Sequence, residues 1–101
     1  MRMLLDITIP HEPFNTLVRK GTVGAAMEKL LKATKAEAVY FSEKDGKRGA
    51  MIIVNIENDS DIPGLVEPWF LTFNADCKMR IAMTPEDLAK SGIDKIGKTW
   101  K

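Results

Sequence analysis

Hydrophobic and polar positions change period several times along this chain, and the changes divide it into elements. Met3, Leu5, Ile7 and Ile9 alternate with Arg2, Leu4, Asp6 and Thr8 as far as Pro10, which predicts a first strand, because residues two apart share a strand face. A loop at His11-Glu12-Pro13 follows. From there to about Thr34 the spacing turns helical, with Phe14, Leu17, Val18 and Gly21 on one stripe and Met27, Leu30, Leu31 and Thr34 on the next. Gly21 and Gly24 mark either a break, with Thr22 capping the second part, or a close approach to another surface. Glu37 to Glu43 and Arg48 to Ile56 are β-rich and flank Lys44-Asp45-Gly46-Lys47, whose Asp-Gly pair signals a hairpin. With Asp45 and Gly46 as the loop, Glu43 faces Arg48, Phe41 faces Ala50, Tyr40 faces Met51 and Val39 faces Ile52. That register opposes unlike charges and matches apolar pairs.

Asn58, Ser60 and Asp61 offer caps before Pro63, and Ile62, Leu65, Val66, Trp69, Phe70 and Phe73 then recur at helical spacing. Pro68 inside this run predicts a kink or a split near Val66 or Glu67. Cys77, Met79, Ile81 and Met83 alternate with Lys78, Arg80, Ala82 and Thr84 as a fourth strand. A last helix opens with Thr84 as N-cap, Pro85 at the first helical position and Glu86 and Asp87 in the first turn. In the tail from Gly92 to Lys101, Ile93, Ile96 and Trp100 predict a further amphipathic turn or two that packs.

The order strand, helix, strand, strand, helix, strand is the βαββαβ arrangement of ferredoxin-like α+β folds, with an extra C-terminal helix. It predicts one domain over residues 1–101 and a four-stranded antiparallel sheet in the order 4132. One sheet face then carries Met3, Leu5, Ile7, Val39, Phe41, Ile52, Val54, Cys77, Met79 and Ile81 toward the helices. The other carries Leu4, Asp6, Thr8, Tyr40, Met51, Ile53, Asn55, Lys78 and Arg80, too apolar at its centre to be fully solvated. A second copy of the chain, sheet against sheet, would cover it and leave a partly polar cavity.

Composition narrows the classes. The chain has 101 residues, a formal net charge of +1 and 45% hydrophobic residues, which disfavours disorder. Residues 1–50 hold nine basic and six acidic groups and residues 51–101 six and eight, a mild dipole with no basic domain. Together with the absence of rings from the open face of the central strands, this argues against nucleic-acid binding. No apolar run reaches the length of a membrane span, and Asp6 comes too early for a signal-peptide core, so the expected location is the cytoplasm. One cysteine and one histidine make neither a disulfide nor, without mostly carboxylate ligands, a zinc site; no metal or other cofactor is expected. Gly92-Ile93-Asp94-Lys95-Ile96-Gly97-Lys98-Thr99 fits the P-loop pattern formally, but it follows a helical stretch and has only Trp100 and Lys101 after it, so no nucleotide site is expected there.

Asp45-Gly46-Lys47-Arg48-Gly49-Ala50 before the third strand and Met83-Thr84-Pro85-Glu86-Asp87-Leu88 after the fourth, together with the element order, resemble the dimeric α+β barrel superfamily. That superfamily includes muconolactone isomerases, antibiotic-biosynthesis monooxygenases and small uncharacterised proteins. The resemblance implies a homodimer with a barrel cavity and transfers no activity.

Three roles fit these features. A cofactor-independent isomerase or oxygenase would draw catalytic groups from Asp6, His11 and Arg80 and orient its substrate with Tyr40 and Asn55. A non-catalytic ligand-binding or regulatory module would use the same cavity for a small, partly apolar organic molecule, and a purely structural dimer would fill it. Asp6 and Arg80 fall on adjacent strands of one face, either as an ion pair or, with Asp6 desolvated and raised in pKa, as a proton-transfer and oxyanion-binding pair. His11 is a candidate acid or base by type, weighed against a solvated loop histidine. Trp69 beside Pro68 is either core or the lining of a cavity mouth, and Cys77 behaves as a small hydrophobe.

Overall fold

In the computed structural model, which describes residues 1–100, four strands form one antiparallel sheet. They are β1 (Arg2–Ile9), β2 (Ala38–Lys44), β3 (Lys47–Asn55) and β4 (Asp76–Ala82), in the order β2-β3-β1-β4. The hairpin register is the expected one, from Val39 opposite Ile52 to Glu43 opposite Arg48. Asp45 (φ 52°) and Gly46 (φ 78°) both take positive φ, the turn geometry whose twist suits a two-residue hairpin. The expected Glu43–Arg48 side-chain pair does not form. Glu43 accepts from the Gly46 N–H at 3.0 Å, and Arg48 donates to Asn15 Oδ1 at 2.8 Å instead.

Helix α1 (His11–Lys20) starts directly after β1, so the expected loop shrinks to the extended Glu12 (φ −114°, ψ 139°) within its first turn. Gly21 resolves the first glycine question as a break. At φ 71° it ends α1, donating its N–H toward the carbonyls of Leu17 and Val18, and α2 (Val23–Thr34) starts afresh. Thr22 sits at the cap position, but its hydroxyl donates back to the Leu17 carbonyl. A single 3₁₀ turn (Asp59–Asp61), closed by the reciprocal Asn58–Asp61 capping box, leads into α3 (Ile62–Phe73). Of the kink or split expected near Val66 or Glu67, the split does not occur: α3 runs unbroken through Pro68. Val66 lies before the proline and Trp69 and Phe73 after it, all three are buried, and their anchorage outweighs one lost backbone hydrogen bond.

All three helices cover the same sheet face. Met3, Leu5, Ile7 and Ile9 of β1 and Ala50, Ile52 and Val54 of β3 are buried beneath Leu30, Val66, Trp69 and Phe73. The helices reach the two central strands far better than the edges. Phe41 on β2 (56% exposed) and Met79 and Ile81 on β4 point to the helix side yet stay exposed, although the alternation assigned them to the core face.

Beyond β4, Thr84 caps α4 (Pro85–Lys90) through a reciprocal box with Asp87, and α5 (Ile93–Thr99) follows after Gly92. The extra amphipathic turn expected from Gly92 to Lys101 forms but does not pack on its own chain: Ile93, Ile96 and Trp100 are exposed, as is Leu88 of α4, and Lys101 lies outside the described residues. The radius of gyration, 17.1 Å, exceeds the ~13 Å of a compact chain of this length, and the longest extent is 60 Å. Among the described residues no helix is long and apolar enough to cross a membrane.

Candidate functional site

The open sheet face holds a charge cluster at its centre. Asp6 sits on β1 between Met51 of β3 and Lys78 of β4, and is 9% exposed. Its Oδ2 accepts from Lys44 Nζ, and Arg80 Nη2 lies 3.5 Å from the same oxygen. The Asp6–Arg80 pair is thus present as the strand spacing suggested. Lys44 was not foreseen, because it lies two strands away, near the hairpin end of β2.

Gly49 explains how Lys44 arrives. A Cβ built on Gly49 would stand 3.0 Å from Lys44 Cβ, 3.1 Å from the Ser42 carbonyl oxygen and 3.3 Å from that of Ile7. The missing side chain therefore opens the path along which the lysine stem crosses β3. A glycine inside an otherwise β-rich strand was the available signal. Gly49→Ala is expected to displace Lys44 and lower stability by about 1–2 kcal/mol, measured as a fall in the urea midpoint; an unchanged midpoint would show that the opening is not needed.

The cluster sets the electrostatics around Asp6. The Lys44 ammonium, which donates to it, is the main influence and holds the Asp6 carboxyl below its ordinary value; burial works in the opposite direction, and Arg80 adds to the lowering. The net direction is opposite to the raised pKa considered from the sequence for a proton-carrying Asp6. The other expected residues do not converge on it. Tyr40 shares the face but lies beyond Met51, exposed. Asn55 stands four residues along β3 from Met51, ~13 Å away, and accepts from the N-terminal ammonium of Met1 at 2.9 Å. Trp69, 0% exposed, lies against Phe73 with ring centroids 6.1 Å apart, so it is core and lines no cavity mouth. Cys77 is held as a thiol, pushed up to about 11 by burial with Asp6 adding to the effect.

A second region lies on the helix side of the sheet. Because the helices leave β2 uncovered, a cleft of about 630 Å³ opens between the β2–β3 hairpin and the helices. Ile9, Phe14, Met27 and Phe41 supply its apolar surface, and His11 and Arg48 stand at it as polar groups, beside Ser42, Glu43 and Lys47 of the hairpin. Arg48 is held in place: its guanidinium lies 4.4 Å from the centroid of the Phe14 ring while donating to Asn15. Among the sequence candidates only His11 lies here, apart from Asp6 and Arg80. Arg48 was missed because the hairpin register offered Glu43 as its partner.

No protein-family model matches the chain, and no curated protein matches it. Among solved structures it is similar to 5-chloro-2-hydroxyhydroquinone dehydrochlorinase (TftG) from Burkholderia phenoliruptrix AC1100, in complex with 2,5-dihydroxybenzoquinone, at 15% identity and a TM-score of 0.59, covering 85% of this chain and 97% of that one. The de novo designed protein Ferredog-Diesel aligns at 10% identity and a TM-score of 0.46, covering 80% of this chain and 85% of that one. The likeness to the dehydrochlorinase shows the fold alone, and with the strand order it makes the chain a ferredoxin-like α+β protein.

Proposed function

We propose that the protein acts as a homodimer paired through the open sheet faces, and that each chain binds a small, partly apolar organic molecule bearing an acidic group in the cleft between the β2–β3 hairpin and the helices. The 630 Å³ cleft carries this reading. Its volume lies within the ~300–1,000 Å³ of small-molecule sites, and two aromatic rings with a few polar groups are the lining such sites use. Arg48, fixed by Phe14 and Asn15, offers its remaining N–H groups to a carboxylate or an enolate oxygen. His11 brings an imidazole, whose two ring nitrogens can donate and accept a proton. In a cofactor-independent isomerisation His11 would move the proton and Arg48 would hold the developing oxyanion; without turnover, the same groups make a ligand-sensing module.

Pairing of the sheets is supported by Leu4, Met51 and Ile53 around the centre of the open face, where Lys44 and Arg80 also converge on Asp6. Those two cations favour a second reading, in which the acidic ligand sits between the sheets. Calorimetric titration with 2,5-dihydroxybenzoquinone, the ligand of the structural neighbour, and with benzoate separates the two. Arg48→Met is expected to weaken binding at least tenfold, about 1.4 kcal/mol, while Arg80→Met leaves it unchanged. The opposite result would move the ligand between the sheets. Failure of both compounds and of a wider set of small acids to bind would leave a structural dimer.

A further inference from the structure

We infer that the cleft between the β2–β3 hairpin and the helices selects hydroxy acids, with Arg48 taking the acid group and Glu43 accepting a hydrogen bond from the hydroxyl of the ligand. The inference rests on the cleft reading proposed above and names the second group that its ligand carries. Glu43 and Arg48 are direct partners in the hairpin register, and both stand at the cleft. Residues so paired set their Cβ atoms ~4.5–5.5 Å apart, close enough for unlike charges to join. These two stay apart. Glu43 Oε2 accepts from the Gly46 N–H at 3.0 Å, while Arg48 donates to Asn15 Oδ1 at 2.8 Å with its guanidinium 4.4 Å from the Phe14 ring centroid. Each charge is thus anchored by a neutral partner on its own side. Among the described residues neither of them, nor Lys47, takes part in an ion pair.

The hydrogen-bonding capacity left on each group defines the ligand. A guanidinium carries several N–H donors and a carboxylate accepts at both oxygens, so Arg48 keeps donors to offer and Glu43 keeps Oε1. A simple acid answers only the first. Its carboxylate on Arg48 would also lie beside that of Glu43, and like charges so close repel. A donor on the ligand turns that repulsion into a hydrogen bond to a charged acceptor, a stronger class than a neutral pair. Charge then decides between a hydroxyl and an ammonium. Lys47 and Arg48 outnumber Glu43 at the cleft when His11 is counted as neutral, so a ligand with one negative charge balances it and a zwitterion does not. An acid with a neutral hydroxyl meets both conditions. Its body lies on the apolar surface of Ile9, Phe14, Met27 and Phe41.

The test is calorimetric titration of the full chain with benzoate, 3-hydroxybenzoate, 3-methoxybenzoate and 3-(aminomethyl)benzoate, repeated on Glu43→Ala and Arg48→Met. The parent is expected to bind 3-hydroxybenzoate about fivefold or more tightly than the other three. The methoxy compound keeps the oxygen and loses the donor, so it puts the same question to the unaltered chain. In Glu43→Ala the preference disappears and benzoate binds more tightly than to the parent, because the carboxylate that repelled it is gone. In Arg48→Met both acids weaken. Equal binding of benzoate and 3-hydroxybenzoate by the parent overturns the inference, as does a preference that the methoxy compound shares or that survives Glu43→Ala. Equal weakening of both acids in Glu43→Ala confines that residue to shaping the hairpin, and tightest binding of the aminomethyl compound overturns the charge argument; either result also sinks the proposal. In all these cases weakening by Arg48→Met leaves the cleft reading standing. Binding that Arg48→Met does not change, or no binding of any of the four, overturns the cleft reading and this inference together.

Discussion

Trp69→Ala is expected to lower the free energy of unfolding by about 3–5 kcal/mol, a large part of the 5–15 kcal/mol typical of a small protein. Trp69 and Phe73 are both 0% exposed, with ring centroids 6.1 Å apart, and Phe73 in turn stands 5.0 Å from Phe14 of α1. Removing the indole would open a cavity where α3 meets the buried residues of β1 and β3, and would detach α3 from α1 through the ring between them. Trp69→Phe separates volume from polarity. The buried Nε1 has no acceptor among the described residues, so its loss relieves one unsatisfied donor and offsets part of the lost volume. Urea unfolding followed by circular dichroism should therefore rank the alanine variant far below the phenylalanine variant. A cost under about 1 kcal/mol for Trp69→Ala would contradict the docking of α3 described above.

Asp6→Ala is expected to cost about 2–3 kcal/mol, because Lys44 and Arg80 would then face each other with no carboxylate between them. Asp6→Asn keeps an acceptor for Lys44 and should lose less. The pH dependence has a definite sign. The folded chain holds the Asp6 carboxyl below its ordinary value, so on acidification the unfolded chain takes up that proton first. The stabilisation is complete above the unfolded carboxyl value of about 3.9 and is lost as pH falls through the lower folded value. Asp87 acts in the same direction, lowered chiefly by the hydrogen bond from the Thr84 N–H. The stability gap between the parent and Asp6→Asn should consequently narrow below about pH 4. A gap constant from pH 7 down to pH 2 would mean that the carboxylate charge is not what holds Lys44 in place.

Those features that depend on local periodicity were legible before the structure. The alternation through Met3–Ile9 and the Asp45-Gly46 turn set both faces of the sheet and the hairpin register, since a slip of one residue would invert every side chain. The Asp6–Arg80 approach followed from the same register. Lys44 did not, because its contact depends on what Gly49 lacks, and a pattern of apolar and polar residues records only what side chains are. The cleft around His11 and Arg48 was hidden for another reason. It exists because helix coverage stops short of β2, and the alternation of Phe41 with its neighbours tells which way the ring points, not whether anything arrives to cover it. The tail misled in the same way: the stripe of Ile93, Ile96 and Trp100 carries the apolar signature of a docked helix but not the surface on which it docks.

The order β2-β3-β1-β4 also leaves the sheet with two free edges, and they are guarded unequally. Along β4, Lys78 and Arg80 break the strand with charge at every second position, the composition that discourages a foreign strand from adding there. Along β2, Ala38 to Ser42 carry no charge and show Tyr40 and Phe41 to solvent, with Glu43 and Lys44 only at the hairpin end. Self-association of partly unfolded chains should therefore start at β2, and a single lysine in place of Tyr40 should slow it without touching the core.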